Sequence, residues 1–308
     1  MRLHGIHHVT AITGDAPANV EFYVGVLGLR MVKKTVNQDD PSVYHLFYGD
    51  EDGSPGADIT FFEYPGAPRG TAGAGMVHRV VWRVGSAEAL AFWEERLLGA
   101  GCDPAHGETT LRFADPEGLG HELRIYAGPD PPLRADAPDV PRELALQGFD
   151  GVRAYAPDAE RTAPLLRETL GFTGGDREWE VAGEDRSGTF AWDPPPAEHP
   201  VPGAGTVHHV AFAARPGEHG AWRERVARAG ARPTPVIDRF YFQSVYFRVP
   251  SGVLFELATM GPGFATDEAP EALGEHLSLP PRLEALRAQI EPRLEPLPDP
   301  RARHRAAG

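Results

Sequence analysis

One order of elements restarts four times along this chain, and that repeat constrains the fold more than any other feature. Residues 5–15 alternate like a strand; Asp15 then offers a helix cap, Pro17 sits in the first turn, Val20, Tyr23, Val24 and Leu27 form an apolar stripe, and Gly28 stops it. Residues 30–36, 43–48 and 57–62 read as three strands, so the unit is βαβββ. The unit restarts at Met76: 77–84 is a strand, Ser86 caps a helix through Leu98, and 110–113 and 121–126 form a hairpin around Asp115-Pro116-Glu117-Gly118. A third copy starts at Gly148, with Asp158 as the cap of a helix that ends at Leu170-Gly171-Phe172. The fourth runs from Val207 through a helix near 221–229 to the hairpin Val249-Pro250-Ser251-Gly252. Pro116 to Glu122 and Pro250 to Glu256 are both steps of six residues.

The expected organisation is therefore α+β, in two tandem halves. Residues 1–140 hold modules 4–65 and 76–128, and residues 141–262 hold modules 146–196 and 205–260. A tail, 263–308, carries one amphipathic helix near 281–290 and a basic, frayed end. The linkers 65–75, 128–141 and 194–205 are rich in Pro, Gly and Ala. A formal charge of -14 with no basic stripe argues against a nucleic-acid partner. No apolar run reaches the ~20 residues a membrane helix needs. The start, Met1-Arg2-Leu3-His4-Gly5, lacks a signal-peptide core. Cys102 is the only cysteine, which excludes an intrachain disulfide or a cysteine-based zinc site. The expectation is a cytoplasmic protein whose association into a homo-oligomer stays open.

Chemistry enters through an echo: Gly5-Ile6-His7-His8-Val9 returns as Thr206-Val207-His208-His209-Val210. Aligned on their valines (Val9, Val80, Val152, Val210), the four first strands stay apolar two residues later, at Ala11, Trp82, Ala154 and Phe212. That face belongs against the module's helix, so the residue before the valine looks the other way. It is His8, Arg79, Gly151 and His209 in turn. A lone strand histidine is more often a satisfied polar residue than a ligand. Two at one register, with Glu256 in an otherwise apolar strand, reverse that balance, because a buried carboxylate is costly unless paired or metal-bound. Glu122 holds the register of Glu256 in the second module and is expected to pair with Arg79, leaving that cup metal-free. Two imidazoles and a carboxylate with open positions form the set typical of non-haem Fe(II) oxygenases. Glu63, at the end of Thr60-Phe61-Phe62-Glu63, echoes Glu256; its participation would give a four-ligand His2Glu2 set, and the three-ligand set is favoured.

Four βαβββ modules resemble the vicinal oxygen chelate superfamily, the glyoxalase/bleomycin-resistance fold, in which paired modules curl into a cup. The stretches Val32-Lys33-Lys34-Thr35-Val36-Asn37, Tyr44-His45-Leu46-Phe47-Tyr48-Gly49-Asp50, Asp238-Arg239-Phe240-Tyr241-Phe242 and Gly263-Phe264-Ala265-Thr266-Asp267-Glu268 resemble one branch of it, the ring-cleaving dioxygenases that include hydroquinone dioxygenases. The resemblance covers nearly the whole chain. It implies metal ligands at His8, His209 and Glu256, and surrounding functional groups at His7, Thr10, His208, Arg239, Tyr241 and Tyr246. It implies Fe(II), with Mn(II) as the alternative metal, and the insertion of both atoms of O2 into an aromatic diol of hydroquinone or catechol type. By the strand-face argument His7 and His208 should point away from the cup unless the strand twists, and Tyr241 is as readily a plain strand aromatic. The rival functions are a metal-dependent lyase or isomerase of the glyoxalase I kind and a non-catalytic aromatic-binding resistance protein.

Overall fold

Alternation of apolar and polar residues gives each module a sheet with one face for its helix and one concave face. The protein is described here by a computed structural model over residues 1–299; the basic end expected after them lies outside the described residues. In chain order the modules contribute β1 (Ile6–Thr13), β2 (Arg30–Val36), β3 (Tyr44–Gly49) and β4 (Asp58–Glu63); β5 (Val77–Val84), β6 (Ala105–His106), β7 (Thr110–Ala114) and β8 (Gly120–Ile125); β9 (Phe149–Tyr155), β10 (Thr173–Gly175), β11 (Glu178–Ala182) and β12 (Ser187–Asp193); and β13 (Val207–Ala214), β14 (Ile237–Asp238), β15 (Gln243–Arg248) and β16 (Leu254–Thr259).

These strands make two eight-stranded sheets, ordered β14-β15-β16-β13-β1-β4-β3-β2 and β10-β11-β12-β9-β5-β8-β7-β6. Each sheet takes one module from each half of the sequence: the first pairs with the fourth, the second with the third. The seam is antiparallel, β1 against β13 and β5 against β9, while each module's first and last strands run parallel. Val9, Ala11, Val80, Trp82, Val152, Ala154, Val210 and Phe212 all have 0% exposure, as the face alignment requires. They pack with Tyr23, Trp93, Leu166 and Trp222 from the helices. Burying such side chains contributes about 1.5–3 kcal/mol each.

Helix entry follows local chemistry in two modules. The Asp15 carboxylate accepts from Ala18 N at 2.9 Å and the Ser86 hydroxyl from Ala89 N at 3.2 Å. The third module departs from expectation: Asp158 caps nothing there. A single 3-10 turn, Glu160–Thr162, precedes a wide π-turn, Leu165–Leu170, with Pro164 between them. Proline lacks the N–H that a continuous helix needs at that point. The tail also differs, with two short helices, Pro281–Glu284 and Arg287–Ile290, in place of one. Leu286 leaves the helical region (φ -100°, ψ 2°), which lets both Leu283 and Ile290 pack near Val36.

Candidate metal centre

The seam between β1 and β13 carries two β-bulges, and they decide where the histidines go. Ile6 pairs with Phe212 and His8 with Ala211, so His7 is an extra residue; Thr10 pairs with His209 and Ala11 with Val207, so His208 is extra on the other strand. A bulge bends its strand and re-aims its side chains. The rings of His7 and His208 therefore do not point away, as strict alternation would have them. Each meets the next ring edge-on, with Nδ1–Nδ1 distances of 2.9 Å for His7–His8 and 2.8 Å for His208–His209.

These contacts fix the protons. His7 Nε2 lies 3.1 Å from the Thr259 carbonyl, which can only accept, so His7 carries its proton on Nε2. Burial, and next the adjacent His8, push the His7 imidazole down to about 3, so at neutral pH its Nδ1 is bare. His8 must then donate from Nδ1, which leaves His8 Nε2 as a lone pair. The pair on β13 makes the same Nδ1–Nδ1 contact, and with His209 as the donor in it His209 Nε2 is likewise a lone pair; burial pushes His209 down, and His208 down to about 4.

Both lone pairs face Glu256. His8 Nε2 is 3.2 Å and His209 Nε2 2.8 Å from Glu256 Oε2, and the two nitrogens are 3.2 Å apart. No N–H is directed at the carboxylate, and both its oxygens are buried without a hydrogen bond. Burial works against the charged form of Glu256, so an ionised carboxylate here needs positive charge beside it. A buried carboxylate facing two lone pairs is unfavourable unless a cation sits among them. Ligands at right angles around a metal–ligand bond of about 2.1 Å lie roughly 3 Å apart, which is the spacing found. The donor set fits a divalent metal. Among the described residues these three are the group of His, Cys, Asp or Glu side chains that could hold one.

Glu63 stands elsewhere. It pairs with Thr13 at the end of β4, and its carboxylate accepts from Tyr44 N at 3.3 Å. The strand register gives the true counterpart of Glu256. Glu256 lies beside Ala211, two residues past His209; Thr60 lies beside Thr10, two residues past His8. The Thr60 hydroxyl takes the corresponding place, 2.8 Å from Thr10 Oγ1 and 3.0 Å from His45 Nε2.

Above this centre opens a narrow pocket with His8 and His209 at its floor. Phe47, Phe62, Phe242 and Tyr246 give it flat apolar walls, and Gln38, Asp39 and Arg239 ring the mouth. Arg239 holds Asp39 through both carboxylate oxygens at 3.1 and 3.0 Å, and its guanidinium lies 5.7 Å from the Tyr246 ring centroid. Of the residues singled out from the sequence, His8, His209, Thr10, Arg239, Tyr241 and Tyr246 line this cavity; His7 and His208 lie behind the two floor imidazoles. The Tyr241 hydroxyl is turned away to donate to Asp267 Oδ2 at 3.0 Å. Sequence reasoning missed His45, whose ring is held between Phe47 and Phe62 with centroids at 4.1 and 4.3 Å. Its signal was alternation from Phe47, which places both on one face.

Comparison with known proteins agrees with this geometry. Residues 5–130 match the model of the Glyoxalase/Bleomycin resistance protein/Dioxygenase superfamily. The chain is 40% identical to the "Putative ring-cleaving dioxygenase MhqA" of Bacillus subtilis, across 96% of this chain and 100% of that one. It is 32% identical to the chlorohydroquinone/hydroquinone 1,2-dioxygenase of Sphingobium indicum, across 94% and 95% of the two chains. A crystal structure of a "putative dioxygenase" from B. subtilis superposes with a TM-score of 0.90 at 39% identity, covering 96% of this chain and 98% of that one. Glyoxalase I of Zea mays, with a TM-score of 0.56 at 16% identity over 83% and 92%, shares the fold alone. The chain belongs to the ring-cleaving dioxygenases of the glyoxalase/bleomycin-resistance/dioxygenase superfamily. No helix among the described residues is long and apolar enough to cross a membrane.

Proposed function

We propose that this protein is an Fe(II)-dependent dioxygenase that inserts both atoms of O2 into the ring of an aromatic diol of hydroquinone or catechol type. The observation that carries the proposal is the convergence of His8 Nε2, His209 Nε2 and Glu256 Oε2, with the two histidines at the floor of an aromatic-walled cavity. These three residues would hold the metal, Fe(II) or alternatively Mn(II), on one face and leave positions toward the cavity open. When bound, the metal supplies Lewis acidity and one-electron exchange between the diol and dioxygen.

The rest of the work falls to the chain. Phe62 and Phe242 among the apolar walls suit a flat ring, which would enter edge-first with a hydroxyl toward the floor. His7 and His208 fix the orientation of the two ligand rings through Nδ1, which preserves their Nε2 lone pairs. Arg239 has N–H groups left after its two bonds to Asp39, and with the Tyr246 hydroxyl it offers donors for negative charge developing on the ring oxygens. Thr10 brings a hydroxyl to the floor beside His8, braced by Thr60. His45 presents a neutral imidazole on the wall, its pKa driven well below the usual value by burial and then by His8 and His209.

The test is oxygen uptake by protein loaded anaerobically with Fe(II), run against hydroquinones and catechols beside the His209→Ala variant. Uptake with one diol class that disappears in the variant supports the proposal. No uptake from fully loaded protein with any diol would sink it in favour of a metal-dependent lyase.

A further inference from the structure

Lys33 is completely buried in the middle of edge strand β2, yet it faces neither the metal centre nor solvent. Its ammonium is 2.7 Å from Asp267 Oδ1, in contact with Glu268 Oε2, 3.4 Å from the Ser278 hydroxyl, and 4.9 Å from the Tyr241 ring centroid. Asp267 uses its other oxygen to accept from the Tyr241 hydroxyl at 3.0 Å. One ammonium thus joins three pieces of chain that are far apart in sequence: β2 of the first module, the tail after residue 263, and the turn between β14 and β15 of the fourth module.

That turn carries Arg239 and Tyr241, and it is strained. Phe240 has φ 71°, a left-handed conformation that is costly for a bulky residue and persists only where the surroundings over-determine it. Its backbone is tied by Arg239 N to Phe242 O, Tyr241 N to Arg239 O and Gly263 N to Tyr241 O, all 2.9 Å, and by Phe240 N to Asp238 Oδ1 at 2.8 Å. Gln38 Nε2 donates to Arg239 O at 2.7 Å and the Arg239 side chain holds Asp39, but Tyr241 is hydrogen-bonded to the tail through Gly263 and Asp267. Phe264, from the tail, packs on both Phe47 and Tyr241, with centroids 5.0 and 5.5 Å away.

We propose that Lys33 is a positioning residue of the site: through Asp267 it anchors Tyr241 and so holds the strained turn that aims Arg239 at the cavity. The inference rests on the diol-binding reading of that cavity. A buried ion pair is poor evidence for stability by itself, and fixing one conformation among several is the use this cluster is suited to.

Two variants cut the tie at different points. Lys33→Met removes the charge at nearly constant shape; Tyr241→Phe keeps the aromatic wall and removes only the bond to Asp267, so it remains informative where Lys33→Met fails to fold. Amide hydrogen exchange is read at Arg239 and Gly263, and at Val9 and Val210 as controls. The expected result is at least about tenfold faster exchange at the turn with unchanged controls, since local opening is governed by local ties. Kinetics should show a diol KM raised about tenfold with kcat changed by less than about twofold, the pattern of lost binding. Unchanged exchange at the turn, equal acceleration at all four amides, or faster turn exchange with unaltered KM overturns the inference. If the unsubstituted protein turns over no diol, the proposed activity fails, while the exchange measurement still decides whether the tie holds the turn.

Discussion

On the concave side of β1 and β13 a buried carboxylate meets two imidazoles; on the concave side of β5 and β9 its counterpart meets three arginines. The strand registers at the two seams match. The second seam also has two bulges, at His78 and Asp150, matching His7 and His208. Glu122 lies beside Val81 as Glu256 lies beside Ala211. Yet Glu122 takes Arg112 at 2.9 Å, Arg124 at 3.0 Å and Arg79 at 3.5 Å, whereas Glu256 has no hydrogen bond at all. The bulge residues diverge too: His78 bonds to Asp193 at 2.9 Å and stacks on Tyr155 instead of orienting a neighbouring ring. Two bulges and a buried glutamate are therefore insufficient for a metal centre. What distinguishes the first cup is an imidazole before each valine, with a second imidazole behind it to set its proton.

The largest expected effect comes from removing the charge that the first cup leaves uncompensated. Glu256→Gln should lose metal retention after anaerobic Fe(II) loading and desalting, and oxygen uptake should fall at least about a thousandfold, the upper range for loss of a single catalytic group. The folded state should survive, because the uncompensated buried charge is a cost to it. Full metal retention in this variant would show that the first cup, like the second, does not use its carboxylate as a ligand.

The converse change is Glu122→Gln. Here activity per folded molecule should stand and stability should fall by about 2–3 kcal/mol in urea unfolding, somewhat below the cost of breaking a fully buried pair because the arginines are partly exposed. The pH sign can be worked out. Burial tends to raise the Glu122 pKa, but Arg124 and Arg112 outweigh it, so the folded value lies below the ordinary 4.5. A depressed carboxyl contributes stability that is fully present above the unfolded pKa and is lost as pH falls through the folded one. The gap between wild type and Glu122→Gln should thus be constant near neutrality and shrink below about pH 4.5. A gap that widens with acid would contradict the ion-pair account of the second cup.

How far the sequence reaches depends on whether a signal is periodic or geometric. The four modules, the helix-facing valines and the trio His8, His209 and Glu256 follow from alternation and repeat, which act through a few residues at a time. Module pairing across the halves needs the His-His-Val echo to be read as one site. The bulges are invisible, since an extra residue disturbs only the partner strand's count, and so His7 and His208 were expected to point away. Pro164 outweighed Asp158 as a local signal in the third module. Alternation places His45 on the face of Phe47, but its partner Thr60 is defined by a register between strands, and no local pattern encodes that pairing.

The two histidine pairs sharpen the comparison within the first cup. His7 is buried and anchored on the Thr259 carbonyl, whereas His208 is exposed. His7→Phe should weaken Fe(II) binding by about tenfold or more, within the 10–100-fold range for partners that orient a ligand. His208→Phe should cost less, since solvent can replace its contact with His209 Nδ1. Competition against a chromophoric chelator measures both, and equal losses would mean that the anchoring of the outer ring is irrelevant.

The smallest effect is expected at Glu63, and it is the sharpest test of how the repeats align. By sequence echo Glu63 matches Glu256; by strand register Thr60 does, with Glu63 three positions further on and bound to Tyr44 N. Burial raises the Glu63 pKa, with only backbone N–H groups of Tyr44 and Ala16 opposing it. Gln at this position keeps an acceptor for Tyr44 N, so Glu63→Gln should retain one metal per chain and unaltered oxygen uptake. Loss of metal would mean that β4 shifts its register when the metal binds, bringing Glu63 into the place that the Thr60 hydroxyl now holds against Thr10 and His45.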